Sequence, residues 1–294
     1  MKTTRRDFLR KTGLGITLTA LGGPPLLASE SKSTLRLSAC DWSLGALGPE
    51  GLETAARVGL DGLEISAAAD NNNPGNVLAI ADPERRKDYK ESMKTHGVVV
   101  SSVAMGLLNR FPMVSEPRAM AWVEQTIAGT NDLDAKVILL AFFGKGDLRF
   151  GSGELKEKDV DTLVEQLKTL APKAEKAGVI IGLENTLSAR QNLDIINRVK
   201  SDAVRVYYDI GNSTHNGYNV PEEIRLLDDR ICQIHFKDNK GYLGEGEVSM
   251  SPVAEAIHAI GYTGWIVLET KVIDERDADF KRNAAYTRSL LGIS

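Results

Sequence analysis

Beyond residue 34 the sequence repeats one rhythm eight times: a short apolar run, then a longer stretch with helical spacing. The runs are Leu35–Cys40, Gly62–Ser66, Val98–Ala104, Val137–Phe143, Val179–Glu184, Val204–Asp209, Ile231–His235 and Trp265–Glu269. Their length and β-branched content suit strands. The stretches Pro49–Val58, Pro83–Thr95, Glu116–Asp132, Glu157–Ala177, Asn192–Lys200, Pro221–Leu227, Pro252–Ile260 and Asp277–Leu290 are spaced as helices. Several open near proline, which a first helical turn tolerates. Lys176-Ala177-Gly178 supplies a cationic last turn and a terminal glycine. No Ser- or Pro-rich linker interrupts the series. Eight strand–helix pairs therefore imply one α/β domain over residues 35–294, with eight parallel strands closed as a (β/α)8 TIM barrel. An open doubly wound sheet would want a glycine-rich phosphate loop after its first strand. Here that strand runs into Cys40-Asp41-Trp42-Ser43-Leu44-Gly45, which is no such loop.

Residues 1–34 do not share the rhythm. Thr4-Arg5-Arg6-Asp7-Phe8-Leu9-Arg10 is followed by a weakly apolar, Gly/Thr-rich segment from Gly13 to Leu27. That segment is too short and too polar for a stable membrane span. It resembles a twin-arginine export signal, which implies an exported, periplasmic protein with no stable span once the signal is removed. Ala28 before Ser29 is the best candidate for cleavage.

The charge balance sharpens once the leader is set apart. The whole chain carries 36 basic and 40 acidic groups, net −4. The first 34 residues hold six basic and two acidic groups, net +4, which leaves −8 on the remainder. Phosphate backbones need a positive surface, so nucleic acid is not an expected partner. Cys40 and Cys232 are too few for a disulfide framework and lie in apolar runs, so both read as buried free thiols.

In a barrel the chemistry sits at the carboxyl ends of the strands. The last four runs end Leu183-Glu184-Asn185, Tyr208-Asp209-Ile210-Gly211-Asn212, Ile234-His235-Phe236-Lys237-Asp238 and Leu268-Glu269-Thr270. Glu184, Asp209, His235 and Glu269 thus stand at adjacent strand ends and converge on the barrel axis. Three carboxylates brought together repel one another unless a cation sits among them. Three carboxylates and one imidazole form a hard, oxygen-rich donor set. It suits one divalent ion, Mn²⁺ first, with Mg²⁺, Co²⁺ or Zn²⁺ as alternatives, rather than a thiolate-type structural zinc site.

The segments LEN, DIGN, QIHFKD and LET, in that order and at those spacings, resemble the xylose isomerase-like barrel superfamily, in its sugar isomerase/epimerase branch. The resemblance spans residues 35–290. It implies that Glu184, Asp209, His235 and Glu269 bind one divalent metal. It also implies that Glu184 and Glu269 move a proton on and off the carbon beside a ketone. Such a proton transfer needs a nearby base and a sink for the enediolate charge. Ketose 3-epimerases of this branch often carry His where Asn212 stands, and Arg where Gly241 stands. The resemblance therefore carries the metal set and leaves the sugar-orienting shell open. The superfamily also includes a zinc-dependent DNA-repair endonuclease with several further His ligands. With His96, His215, His235 and His258 alone, this chain lacks them.

Glu64, at the end of the second strand, is a candidate for a sugar hydroxyl contact or a structural carboxylate. Asn185, Asn212, His215, Lys237 and Asp238 complete the candidate substrate-binding set. Trp42, Phe142 and Phe143 are candidates for an apolar pocket wall, with core packing favoured for Phe142. Asp70–Asn76 and Gly244–Glu247 read as loops near the mouth. The expected function is a metal-dependent isomerase or epimerase of a small-molecule ketose or keto-sugar. A lyase, dehydratase or hydrolase on the same site, or a non-catalytic sugar binder, stands as the alternative. Homo-oligomerisation stays open.

Overall fold

A computed structural model describes residues 35–293. The leader reading of residues 1–34 lies outside the described residues. Eight strands, β1 Arg36–Cys40, β2 Gly62–Ser66, β3 Val99–Met105, β4 Val137–Phe142, β5 Ile180–Asn185, β6 Val204–Asp209, β7 Ile231–Phe236 and β8 Trp265–Leu268, follow the apolar runs closely. All neighbours pair in parallel, and β1 pairs β8 to close the barrel in sequence order.

The main helices are α2 Gly51–Arg57, α3 Pro83–His96, α4 Ala119–Asp132, α5 Glu157–Ala177, α6 Ala189–Val199, α8 Val220–Leu227, α9 Met250–Ala259 and α10 Arg276–Leu291. Two short helices, α1 Asp41–Leu44 and α7 Ile210–His215, follow β1 and β6 directly and were not expected from the spacing. The seed of α7 is Asp209, whose Oδ1 accepts the Asn212 N–H at 2.7 Å as an N-cap. Helix α6 begins three residues earlier than its spacing suggested, because Ser188 and Gln191 form a capping box. Helix α4 begins three residues later, because the Glu116 carboxylate turns to the Arg118 backbone and guanidinium. No helix among the described residues is long and apolar enough to cross a membrane.

Strand β4 shows why the runs lack alternation. Ile138, Leu140 and Phe142 pack outward under the helices, while Val137, Leu139 and Ala141 face into the barrel. Both faces are dry, so every position is apolar. Outside the barrel, α5 lays Leu163, Val164, Leu167, Leu170 and Ala174 on the sheet. Each fully buried leucine contributes about 1.5–3 kcal/mol. Inside the barrel, Ala104 and Ala141 are small and leave space beneath the mouth. At the opposite end Trp265 lies under the Arg36 guanidinium, 4.0 Å from the ring centre.

Candidate active site

The strand ends deliver Glu184, Asp209, His235 and Glu269 to one place. One ligand atom from each lies within 4.8 Å of all the others. His235 is fully buried, and its Nδ1 faces the carboxylates: 3.0 Å from Glu184 Oε1, 3.6 Å from Glu269 Oε2 and 3.9 Å from Asp209 Oδ2. Lys237 crosses the group, with Nζ 2.6 Å from Glu269 Oε2 and 3.1 Å from Asp209 Oδ2. Gly211 permits that approach, since a Cβ there would meet the Lys237 Cγ at 2.6 Å. Asp209 Oδ1 is spent on the helix cap, while the buried Oδ2 has the Lys237 ammonium beside it but no well-aligned hydrogen bond. A buried acceptor without an aligned donor, in a ring of carboxylates and an imidazole nitrogen, is a position a divalent cation fits.

The environments of the carboxylates differ. Burial pushes Glu184 up to about 7, against the opposing pull of His235. Burial likewise raises Asp209, despite Lys237. Burial would raise Glu269 too, but the charges of His235 and Lys237 outweigh it and hold that carboxyl at about 2. Burial would lower Lys237, yet Asp209 and Glu269 more than compensate and keep it cationic.

Above the group is a cavity of about 280 Å³. Trp42 and Phe143 form its aromatic wall, and Ser66, Asn71, Asn109 and Asn212 its polar side. The Trp42 indole N–H donates to Glu269 Oε1 at 3.2 Å. Phe142 points away into the core, as expected for it. Asn71 belongs to the loop suspected of covering the mouth. Asn109 and Ser66 were not singled out in the sequence. Ser66 follows Glu64 by two on β2 and so shares its side of the strand, which is the signal that was available. Asn109 lies in the loop after β3, where no periodicity reaches.

The remaining sequence candidates separate. Asn212 and Lys237 line the cavity beside Glu184 and Glu269. Asn185 does not: its amide bonds Asn192 and the Leu187 N–H and ties β5 to α6. Asp238 is buried and accepts from the Glu247 and Val248 backbone, clasping the Gly244–Glu247 loop. Gly246 is indispensable to that clasp, since a Cβ would lie 1.8 Å from Asp238 Oδ1. His215 is exposed at the end of α7, outside the cavity lining. Glu64 has no exposure at all and sits below the cavity, so it is not placed to touch a sugar hydroxyl there. Cys40 and Cys232 are free thiols, the first buried and the second half-buried.

A closed parallel barrel with a carboxylate–imidazole group at its carboxyl mouth defines a class of small-molecule enzyme scaffold. The chain belongs to the xylose isomerase-like TIM barrel family, which matches residues 52–290. Among its relatives, an uncharacterized protein of Methanocaldococcus jannaschii is 27% identical over 172 residues, 53% of this chain and 57% of that protein. The 2-epi-5-epi-valiolone 7-phosphate 2-epimerase of an Actinoplanes species is 24% identical over 209 residues, 70% of this chain and 73% of that enzyme. Among solved structures, D-psicose 3-epimerase from Clostridium cellulolyticum, crystallised with D-tagatose, superposes with a TM-score of 0.72 at 20% identity. That match covers 87% of this chain and 99% of the other, and it supports the fold.

Proposed function

We propose that this protein is a divalent-metal-dependent epimerase or isomerase of an uncharged keto-sugar, exported by its leader to the periplasm. The observation that carries the reading is the convergence of Glu184, Asp209, His235 and Glu269 within 4.8 Å beneath the cavity. These four residues would hold the ion, and the oxygen-rich set favours Mn²⁺. When bound, the ion supplies positive charge beside the substrate's carbonyl oxygen.

The chain's own groups do the proton work. Lys237 and the Trp42 indole keep Glu269 ionised, the form in which it takes the proton from the carbon beside the carbonyl. Glu184, the other carboxylate of the cavity lining, is the partner that returns a proton to the carbon. The two carboxyl groups that line the cavity form an acid–base pair. The amides of Asn71, Asn109 and Asn212 offer donors and acceptors to sugar hydroxyls, and Trp42 and Phe143 offer apolar faces.

The cavity lining favours a substrate without phosphate. Among the described residues Lys237 is its one cationic residue, and that ammonium is engaged by two carboxylates. The other polar groups of the lining, Ser66 and the amides of Asn71, Asn109 and Asn212, are neutral and suit hydroxyls better than a charged phosphate.

The test is deuterium exchange. The protein with Mn²⁺ in D₂O, given a panel of ketoses and 3-keto-sugars, is expected to wash out the C–H signal beside the carbonyl and yield a product of unchanged mass apart from the label. Exchange that persists in Glu269→Gln, or a product lighter by one water, would overturn the reading. Cell fractionation and amino-terminal sequencing check the export step, with a mature terminus near residue 29 in the periplasmic fraction expected.

A further inference from the structure

Directly below the carboxylate group lies a second polar cluster that the proton chemistry does not use. Glu64 is a fully buried carboxylate. Its Oε2 accepts the Ser102 hydroxyl at 2.5 Å and also the Tyr207 hydroxyl. Its Oε1 lies 3.2 Å from His235 Nε2. The Cys40 thiol is farther off, 4.0 Å from Oε1 and 3.6 Å from Nε2. The sheet is irregular around this cluster. The β2–β3 register shifts between Leu63 and Glu64, and the β6–β7 register shifts between Val206 and Tyr207. Such bulges re-aim side chains at the cost of ladder regularity. Here they bring Glu64 opposite Ser102 and put Tyr207 on the inner wall.

We infer that Glu64 is a positioning residue that fixes the tautomer of His235, with Ser102 and Tyr207 holding the carboxylate in place. A buried carboxylate oxygen requires a donor. Both hydroxyls are spent on Oε2, so Oε1 takes its donor from His235 Nε2–H, the thiol being a weak and distant one. An imidazole that gives one nitrogen to a cation is neutral, and a proton kept on Nε2 leaves the lone pair on Nδ1. That nitrogen is the one facing Glu184, Asp209 and Glu269. The buried network thus sets which nitrogen is presented to a cation. The reading replaces the expected sugar contact of Glu64. It rests on the metal site proposed above, and it deepens that site by naming what orients its one nitrogen donor.

Cys40, Glu64 and His235 Nε2 could in principle hold an ion of their own, since one ligand atom from each lies within 4.8 Å of the others. The hydrogen bonds argue otherwise. Glu64 already accepts from two hydroxyls and the imidazole, which leaves no unsatisfied acceptor for an ion to balance.

The experiment measures Mn²⁺ affinity of the full chain by chelator competition, together with the His235 tautomer by long-range ¹H–¹⁵N NMR on the Zn²⁺-loaded wild type. Glu64→Gln keeps the shape but loses the charge, and is expected to weaken Mn²⁺ binding about 10–100-fold. Tyr207→Phe is expected to weaken it less, Cys40→Ser to leave it within twofold, and the wild type to bind one ion per chain. The NMR spectrum is expected to show protonated Nε2 and metal-bound Nδ1, and it decides the matter even if Glu64→Gln fails to fold. Affinity within twofold in a folded Glu64→Gln, a metal-bound Nε2, or a second ion lost on Cys40→Ser would each overturn the inference while leaving the metal site standing. A wild type that binds no ion would remove the metal site and the inference together.

Discussion

The two ends of the barrel each hold a cavity, and the larger one is at the wrong end. The mouth cavity is about 280 Å³, while a hollow of about 340 Å³ lies at the strand starts, bounded by Val99, Val137, Ile180, Gln233 and Trp265. The charged rim of the lower hollow, Arg36, Asp134 and Lys136, is exposed and does not converge. At the mouth, Glu184, Asp209 and His235 are buried, and Glu269 and Lys237 lean in on them. Space alone does not make a site. Buried charges that can neither spread apart nor reach water do, because a low-polarity surrounding magnifies their mutual interaction. The base of the barrel is built for cohesion and the mouth stores electrostatic tension.

Substitutions should separate the two ends. The largest effect is expected for Glu269→Gln and Glu184→Gln, with turnover falling about 10²–10⁴-fold. Steady-state assays on the sugar identified by exchange would measure it, and near-normal turnover in both variants would end the claim that the mouth is the active end.

Next is a pH effect at the mouth. Burial pushes Asp41 up to about 7, although its carboxylate accepts from the Ser66 N–H and hydroxyl. The folded protein therefore keeps this proton where the unfolded chain has released it. Stability is fully present below about pH 4 and declines as pH rises to about 7, by up to about 4 kcal/mol. Urea titrations across that range should show a shallower decline in Asp41→Asn than in the wild type. An unchanged slope would mean that Asp41 titrates normally in the folded chain.

Added Mn²⁺ at a hundredfold excess over its Kd should stabilise the protein by about 2.7 kcal/mol. Thermal unfolding should register this in the wild type and in Arg36→Ala, but much less in Asp209→Ala. The smallest effect belongs to the base. Arg36→Ala loses the stacking on Trp265 and should cost about 0.5–1 kcal/mol with kcat/KM unchanged. A changed kcat/KM there would show that the two ends are coupled.

The contrast also explains which features were legible in the residues. The eight strands could be read because a strand covered on both faces must be apolar throughout, as β4 is. The meeting of Glu184, Asp209, His235 and Glu269 could be read because the barrel's parallel order turns four strand-end residues into neighbours. Depth along the strand was the limit elsewhere. Glu64 and Asp209 are both strand carboxylates near the mouth, yet Glu64 lies in the layer below. Asp238 and Asn185 follow the strand-end residues closely in sequence, but their hydrogen bonds commit them to loops rather than to the cavity.

Periodicity and chain order, then, determined the barrel, the end that bears chemistry and the four residues that meet there. These are consequences of local covering and of a topology that leaves one arrangement for eight strand–helix units. The tertiary structure alone decided that Lys237 crosses the carboxylates, that Asn71 and Asn109 reach the cavity from separate loops, and that Tyr207 and Ser102 close on Glu64 beneath His235. Those outcomes depend on register shifts, loop paths and the absence of a Cβ at Gly211, which act between residues far apart in the chain.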